Sequence, residues 1–444
     1  MDTIYALSSG ALPSGVAVVR TSGPQSRLVL ETMIGGPVDP RRAVLRSIRD
    51  RNGESIDRGL VLWFPGPESF TGEDMAEYQI HGGRAVVAAL FRCFETFAGM
   101  RPADPGEFTR RAFLAGRVDL TEAEGLADLL AAETEAQRRQ AAGQAAGALR
   151  QLYGEWRRRL VRIRALIEAD FDFAEEEDVP GSVATEAWAD AAALREEIRH
   201  HLDGADRGER IRNGLQVVLL GAPNVGKSSL LNALACRDVA IVTEEAGTTR
   251  DIVEVHLDLG GRAVTLVDTA GLREGTGRVE AEGIRRALAR GRSADVVLWL
   301  EAPDIGVAAR PEEDISRGEV WSVATKCDLV DGEGPGRRVD GETKRFVVSA
   351  TTGEGLDILV TALTRFADER GRGVNEVLPT RERHRRHLLD TIAQLNNGIE
   401  EVGKPAELRA EDLRRAGDEL GRITGEIGVE ELLDVIFGEF CIGK

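Results

Sequence analysis

Lysine is scarce in this 444-residue chain: Lys227, Lys326, Lys344, Lys404 and Lys444 are five of 57 basic residues, leaving 52 arginines. Arginine is the default cation, so each retained lysine asks for a reason. Positive charge as a whole is also in deficit, 57 Lys+Arg against 75 Asp+Glu for a formal charge of −18, which excludes a protein that coats nucleic acid by bulk charge. Cysteine is rare, and Cys93, Cys236, Cys327 and Cys441 lie far apart with no CxxC pair, so neither a disulfide framework nor a zinc site is expected. The final Gly443-Lys444 fits a prenylation box poorly. No apolar run approaches the ~18 residues of a membrane span, and Met1-Asp2-Thr3 lacks the basic, then apolar, start of a secretory signal. A soluble, cytoplasmic protein is expected.

What is present is a composition of 42% hydrophobic and 30% charged residues, with chain enough for roughly two to four domains. The first ~115 residues alternate apolar runs (Val16 to Val19, Leu60 to Phe64) with Gly/Pro turns, the mark of a mixed α/β domain. From about Leu120 the character becomes helical: Leu149, Leu152, Trp156, Leu160, Ile163 and Leu166 recur every three or four residues. A carboxylate cluster from Phe171 to Asp178 interrupts this, and the polar, Gly-rich residues 204–214 read as a linker. Apolar runs at Val217 to Leu220, Ile252 to Leu259, Val264 to Val267, Val296 to Leu300, Val320 to Ala324 and Phe346 to Val348 then alternate with helical stretches. Helical spacing returns after Pro379. The simplest architecture is an α/β unit inserted into a helical domain, with no fixed-period repeat.

The inserted unit carries chemistry. Gly221-Ala222-Pro223-Asn224-Val225-Gly226-Lys227-Ser228 follows an apolar strand and opens a helical run, matching GxxxxGK[ST] in its required context. Backbone amides of such a loop, including Val225, Gly226 and Ser229, close around phosphate oxygens; Lys227 reaches the terminal phosphates and Ser228 offers a hydroxyl to Mg²⁺. Asp268-Thr269-Ala270-Gly271 ends another strand, where Asp268 can hold the metal's water shell and Gly271 can move with the terminal phosphate. Thr325-Lys326-Cys327-Asp328 and Ser349-Ala350 resemble the guanine-reading motifs of GTPases, with Thr325 standing where Asn is usual. Asp328 would accept from the guanine ring nitrogens. Leu272 occupies the place of the water-orienting Gln in Ras-like switches, and an apolar side chain cannot orient water. Two stretches are candidates to supply that chemistry: Ala246-Gly247-Thr248-Thr249-Arg250-Asp251, where Thr249 can complete Mg²⁺ coordination, and the helix start carrying Glu280.

With these residues in hand, the whole chain resembles the tRNA wobble-uridine modification GTPases of the MnmE (TrmE) family. The resemblance rests on Asp2-Thr3-Ile4-Tyr5-Ala6, Phe70-Thr71-Gly72-Glu73-Asp74, His81-Gly82-Gly83, Pro105-Gly106-Glu107-Phe108-Thr109, Phe173 to Glu177, the nucleotide motifs, and terminal Cys441-Ile442-Gly443-Lys444. It implies a multi-domain α/β plus α fold: a folate-binding, dimerising α/β domain over residues 1–118, a split helical domain over 119–213 and 379–444, and an inserted Ras-like P-loop GTPase domain over 214–378. It implies work with an FAD-dependent partner, MnmG (GidA), adding an aminomethyl or carboxymethylaminomethyl group at C5 of the wobble uridine from a tetrahydrofolate one-carbon unit, 5,10-methylene- or 5-formyl-tetrahydrofolate being the folate bound.

The same resemblance assigns roles. Asn224, Thr243, Glu245 and Thr248 would bind K⁺, with Glu244 and Ala246 in the same nucleotide-contacting loop, and Ser228 and Thr249 would bind Mg²⁺. The K⁺ would stand where other GTPases use an arginine finger, an effect worth about 10³–10⁵ in rate there. Glu280 would orient the attacking water. Arg20, Glu77, Arg117 and Lys444 would contact folate, Arg117 replacing the more usual lysine, and Cys441 is a candidate for the modification chemistry. His81-Gly82-Gly83 is like a lipase oxyanion loop, but no GxSxG elbow accompanies it.

Charge is uneven. Residues 138–164 hold eight arginines and one acid, Glu155, for a local +7, so Arg157, Arg158 and Arg164 could meet tRNA phosphates or the partner, as could Arg381, Arg383, Arg385 and Arg386; the competing reading is a solvated, ion-paired face. Two other functions fit parts of the chain. A ribosome-assembly GTPase switch would need no folate pocket, and a folate-dependent uridine methyltransferase would use GTP only for regulation.

Overall fold

The computed structural model describes residues 2–172, 182–237, 239–241, 253–268, 291–292, 294–305, 318–329, 336–340, 343–370, 376–401, 403–428, 433, 436–438, 440 and 443. It divides into two compact units: Met1–Ala127, Gly147–Ala191 and Ala393–Lys444 form one, and Asp128–Ala146 with Ala192–Ile392 form the other. Each holds one β-sheet and packed helices, a multi-domain α/β plus α chain as expected. No helix among the described residues is long and apolar enough to cross a membrane.

In the first unit, strands β1 (Thr3–Leu7), β2 (Ser14–Ser22), β3 (Val44–Arg49), β4 (Ser55–Phe64), β5 (Met75–Gly82) and β6 (Met100–Pro102) form a sheet in the order β3-β4-β5-β2-β1-β6. Alternation assigns the faces. Ala17, Val19 and Thr21 of β2 stand opposite Ile80, Tyr78 and Ala76 of β5, and Ala17, Val19, Tyr78 and Ile80 enter a core with residues of helices α1 (Ser26–Ile34) and α2 (Arg84–Glu95), such as Val29, Leu90 and Phe94. The intervening Arg20 and Glu77 therefore share the opposite face.

An ionic cluster locks the start of the chain to helix α3 (Glu107–Leu114). Arg111 donates to Asp2 at 2.8 Å, Glu107 at 2.9 Å and Glu73 at 3.1 Å, while Arg101 bridges Glu107 at 2.6 Å and Asp2. The hydrogen bond from Arg101, reinforced by Arg111 against a burial penalty, holds the Asp2 carboxyl down at about 2. Burial pushes Glu107 the other way, but its bonds from Arg101, the Asp104 amide and Arg111 outweigh this and its pKa is lowered. Thus Asp2, Glu73 and Glu107, which mark three separate sequence motifs, meet at one structural lock.

The long helix α6 (Ala148–Asp172) packs along α12 (Ala406–Thr424). Its buried stripe is Leu149, Tyr153, Trp156, Leu160, Ile163 and Ile167, a spacing of three or four as expected, except that Tyr153 and Ile167 replace Leu152 and Leu166. The helix is rotated slightly from the sequence reading because aromatic Tyr153 and Trp156 fill the interface together, their ring centroids 5.7 Å apart. At the far end, Leu433, Phe437 and Phe440 pack on Leu120 and Ala123, and Ser8 donates to the Gly443 carbonyl at 2.8 Å. The chain's end is fastened beside its beginning.

The second unit is built on strands β7 (Leu215–Gly221), β8 (Ala240–Ile241), β9 (Val253–Asp258), β10 (Ala263–Asp268), β11 (Val296–Glu301), β12 (Glu319–Ala324), β13 (Gly336–Asp340) and β14 (Thr343–Val347), ordered β13-β14-β12-β11-β7-β10-β9-β8. β7 is parallel to both β10 and β11, and burial on both faces explains its unbroken apolar run. Residues 204–214 correct the expected linker: α8 (Ala205–Asn213) is a helix with Ala205, Gly208 and Ile211 buried on one face. Its charges, which read as solvated linker, are paired, Arg210 with Asp295 and Arg212 with Asp128, both at 2.9 Å.

Arg111→Ala should lower unfolding free energy by about 3 kcal/mol, because it leaves Glu107 and Glu73, only 12% and 23% exposed, without the guanidinium they share; urea titration measures this. Asp2 has a folded pKa of about 2, below the ordinary aspartate value of 3.8, so its contribution is present above about pH 4 and lost as pH falls toward 2. The variant keeps the Arg101 bond to Asp2 and should lose only part of that acid-sensitive increment, and equal stability of the two proteins would contradict the lock.

Candidate functional site

The nucleotide motifs assemble at the carboxyl ends of the parallel strands, where open α/β sheets place their ligands. β7 ends at Gly221, and the loop turns through Asn224 at φ 61° and Gly226 at φ 100° into helix α9 (Lys227–Ala235). Gly226 takes a conformation that side chains resist, which turns the loop's amides inward and aims them, with the helix N-terminus, at an anion. Lys227 Nζ donates to the Gly221 and Ala222 carbonyls, each at 2.9 Å. Burial lowers the Lys227 pKa, and the Asp268 carboxylate partly offsets that.

Ser228 Oγ donates to Asp268 Oδ2 at 2.6 Å, and Asp268 is 1% exposed at the end of β10. A hydroxyl and a carboxylate this close are hard oxygen donors of the kind Mg²⁺ takes at about 2.0–2.1 Å, so these residues fit a magnesium ion bound with phosphate oxygens. Ser229 follows on α9, and Val225 is buried with its carbonyl turned toward the base-reading side.

That side is built by the turn after β12 and the segment after β14. Lys326 adopts φ 57° and pairs with Asp304 at 2.7 Å. Ser349 Oγ, fully buried, donates to Asp328 Oδ1 at 2.6 Å and accepts from the Thr351 and Thr352 amides, which fixes the carboxylate's orientation. Ala350 lies next in this turn. Thr325 has a role that its residue type alone does not reveal. Its Oγ1 donates to the Val225 carbonyl at 2.6 Å, with the Glu301 carbonyl 3.1 Å away. The residue that departs from the expected Asn thereby ties the turn carrying Lys326 and Asp328 to the glycine-rich loop 221–228. Asp304 was likewise missed, since only the folded chain brings it to Lys326.

Arg20 and Glu77 are brought together: they are opposite each other across β2 and β5 and bond at 2.7 Å. Arg117 stands after α3, its guanidinium 3.8 Å from Glu68. Gly443 approaches the Leu7 carbonyl so closely that a Cβ would lie 2.2 Å from it, and Leu7 adjoins Ala6, the β1 partner of Arg20. The tail thus returns to the strand beside the Arg20–Glu77 pair. Thr243, Glu244, Glu245, Ala246, Gly247, Thr248, Thr249, Thr269, Ala270, Gly271, Glu280, Cys441 and Lys444 lie outside the described residues.

Most arginines of the basic stretch have acidic partners. Arg138 and Arg139 pair with Glu135, Arg150 with Glu122, Arg157 with Glu426, Arg159 with Asp190 and Arg164 with Glu168. Arg158 and Arg162 are exposed and make no ion pair among the described residues. In the second stretch, Arg381 pairs with Asp128 and Arg385 with Asp206. The local positive charge is therefore largely balanced, in part by acids one helical turn away such as Glu135 and Glu168 and in part by distant ones such as Asp190 and Glu426.

Comparison with known proteins covers the full chain. Residues 3–117 match the family described as GTP-binding protein TrmE N-terminus, and residues 120–441 match the MnmE helical domain. The tRNA modification GTPase MnmE of Brucella anthropi is 54% identical over 443 residues, covering 100% of this chain and 98% of the relative. The protein of the same name from Brucella melitensis biotype 1 is 53% identical with the same coverage. Among solved structures, Aquifex aeolicus Era aligns with 47% of this chain and 89% of its own at 21% identity and a TM-score of 0.27.

Thr325→Val keeps the side chain's shape and removes the hydroxyl. Leaving the Val225 carbonyl without that donor costs about 1–2 kcal/mol, so GDP affinity measured by calorimetry should fall roughly 5- to 30-fold, while Thr325→Ser should stay near wild type. Unchanged affinity in the valine variant would show that the tie does not support binding.

Proposed function

The chain belongs to the MnmE family of tRNA modification GTPases, and from that premise we propose that its GTP hydrolysis drives C5 modification of the tRNA wobble uridine. The reaction would install an aminomethyl or carboxymethylaminomethyl group with an MnmG-type FAD protein and a tetrahydrofolate-borne one-carbon unit. The observation that carries the nucleotide part is the joining of the phosphate loop to both Asp268, through Ser228, and the base-reading turn, through Thr325. GTP is the substrate, with Val225, Gly226, Lys227, Ser228 and Ser229 at its phosphates and Lys326, Asp328, Ser349 and Ala350 at its base.

The chain's own groups divide the work. Loop amides and Lys227 hold phosphate oxygens in place, and the bond from buried Ser349 to exposed Asp328 presents a carboxylate whose second oxygen can accept from guanine. To reach a terminal phosphate, Lys227 must exchange its bonds to the Gly221 and Ala222 carbonyls for phosphate oxygens, an exchange of neutral for charged acceptors that favours binding. Mg²⁺ held by Ser228 and Thr249 would neutralise charge developing on the phosphates. K⁺ held by Asn224, Thr243, Glu245 and Thr248 would serve in place of an arginine finger, and Glu280 would orient water, since Leu272 cannot.

Folate would lie on the half-buried face that carries Arg20 and Glu77, with Arg117 and Lys444 as cations for its glutamate carboxylate, and Cys441 would be a candidate thiol for the modification chemistry. Residues 1–118 would dimerise and bind folate, 119–213 with 379–444 would form the helical domain, and 214–378 would bind GTP. Cytoplasm is the matching compartment. The exposed Arg158 and Arg162 are the members of the basic stretch best placed to meet tRNA phosphates or the partner.

GTP turnover should be at least about tenfold faster in K⁺ than in Na⁺ at equal ionic strength, and Glu280→Ala should lose about 10²-fold or more in either salt while retaining GDP binding. Equal rates in the two salts together with an active Glu280→Ala protein would remove the proposed mechanism.

A further inference from the structure

The GTP-binding segment is entered through α8 and left through residues 376–385, and these two stretches lie against each other. A Cβ on Gly208 would fall 2.1 Å from the Pro379 carbonyl, and one on Gly204 would fall 2.5 Å from Leu378, so glycine is what permits the approach. Charges zip the same seam: Arg207 pairs with Glu376, and Arg385 with Asp206 and Glu209.

One carboxylate joins both stretches at once. Asp128, near the end of helix α4 (Leu120–Ala131), accepts through Oδ1 from Arg212 Nε and from Arg381 Nη2, each at 2.9 Å. Arg212 lies three residues before β7, and Arg381 immediately precedes helix α11 (Glu382–Glu400). The Asp128, Arg212 and Arg381 side chains are only 16%, 28% and 16% exposed. Two guanidiniums converging on a half-buried carboxylate are held by that charge, and without it they repel.

Beside this clasp lies a cavity of about 110 Å³ where Asp128, Gln137, Gln140, Gln144, Arg212 and Asn213 line the wall together with three alanines. Gln137 Nε2 donates to the Arg212 carbonyl at 3.0 Å, so amide groups surround the backbone of the clasp as well. A space of this size with three glutamines on its wall admits water and offers amide partners, so the ionic bonds can be exchanged without stranding a bare charge. An apolar, close-packed surround would forbid that exchange.

We propose that Asp128 is a positioning residue that fastens both ends of the GTP-binding segment to α4, so that changes in that segment on hydrolysis are passed to the helix rather than absorbed at slack junctions. The proposal rests on the reading that nucleotide turnover drives modification. Asp128 is absent from every nucleotide motif, so its loss uncouples hydrolysis from modification and leaves hydrolysis itself in place.

The test uses the full-length chain carrying Asp128→Asn, Arg381→Gln, Arg212→Gln, or Asp128→Asn with Arg212→Gln, assayed below the melting temperature of each. GTP turnover should stay within about twofold of wild type, wobble-uridine modification in complemented cells should drop about tenfold, and hydrogen exchange should accelerate at 205–213 and 380–385. Adding Arg212→Gln to Asp128→Asn should not deepen the loss, since the ion pair is already gone and the second change only removes one of the two guanidiniums left facing each other. Parallel loss of hydrolysis and modification would mark Asp128 as merely structural and overturn the proposal, as would unchanged exchange, unchanged modification or additive effects. Arg381→Gln keeps the Arg212 bond and should be intermediate, which decides the matter even where Asp128→Asn does not fold. If the wild-type chain itself does not restore modification, the broader reading fails, and the exchange and double-variant results still judge the clasp.

Discussion

A single buried hydroxyl bond, from Thr325 to the Val225 carbonyl, keeps the two halves of the nucleotide site in register. Phosphate binding needs converging amides, and guanine recognition needs a fixed carboxylate at a set distance from them. These demands fall on segments a hundred residues apart in sequence. A parallel sheet brings the segments to one edge because β7, β10, β11, β12 and β14 all run the same way. The sheet alone sets strand spacing; the threonine bond sets the loops. Ser228–Asp268 on the phosphate side and Ser349–Asp328 on the base side complete a chain of short oxygen-to-oxygen bonds, each satisfying a buried or half-buried group that would otherwise be costly.

Arginine abundance has a structural counterpart in this arrangement. Arg101 and Arg111 gather Asp2, Glu73 and Glu107, and Arg212 and Arg381 share Asp128. A planar guanidinium can serve two carboxylates, or share one with another guanidinium, more readily than an ammonium can. Lysine survives where a compact charge reaches along a loop: Lys227 meets two carbonyls and Lys326 meets Asp304. Lys344 and Lys404, which lie outside every motif, are tied to Glu319 and to Glu401 with Asp412.

The legible parts of the sequence were those whose physics is local. The phosphate loop announced itself because glycines, lysine and serine must be near neighbours, and β7, β10 and β11 because strands buried on both faces must be apolar throughout. Strand β13, Gly336–Asp340, went unseen, since an edge strand rich in charge has no such run. Residues 204–214 looked like a linker because glycine and charge signal solvent, and only the distant Asp128, Asp295 and Pro379 turn those same residues into a packed helix. The basic stretch misled in the same way. Its local +7 counts only residues 138–164, whereas Glu122, Glu135, Glu168, Asp190 and Glu426 outside that stretch offset most of it in space. Thr325 was noticed as a departure, but which carbonyl it would meet is a tertiary fact.

The central claim is that this GTPase is needed for C5 modification of the wobble uridine, and nucleoside mass spectrometry of tRNA tests it most directly. In cells lacking the chain, the wobble position should carry uridine without its aminomethyl-type substituent, and the wild-type chain should restore it. Full modification in its absence would contradict the account.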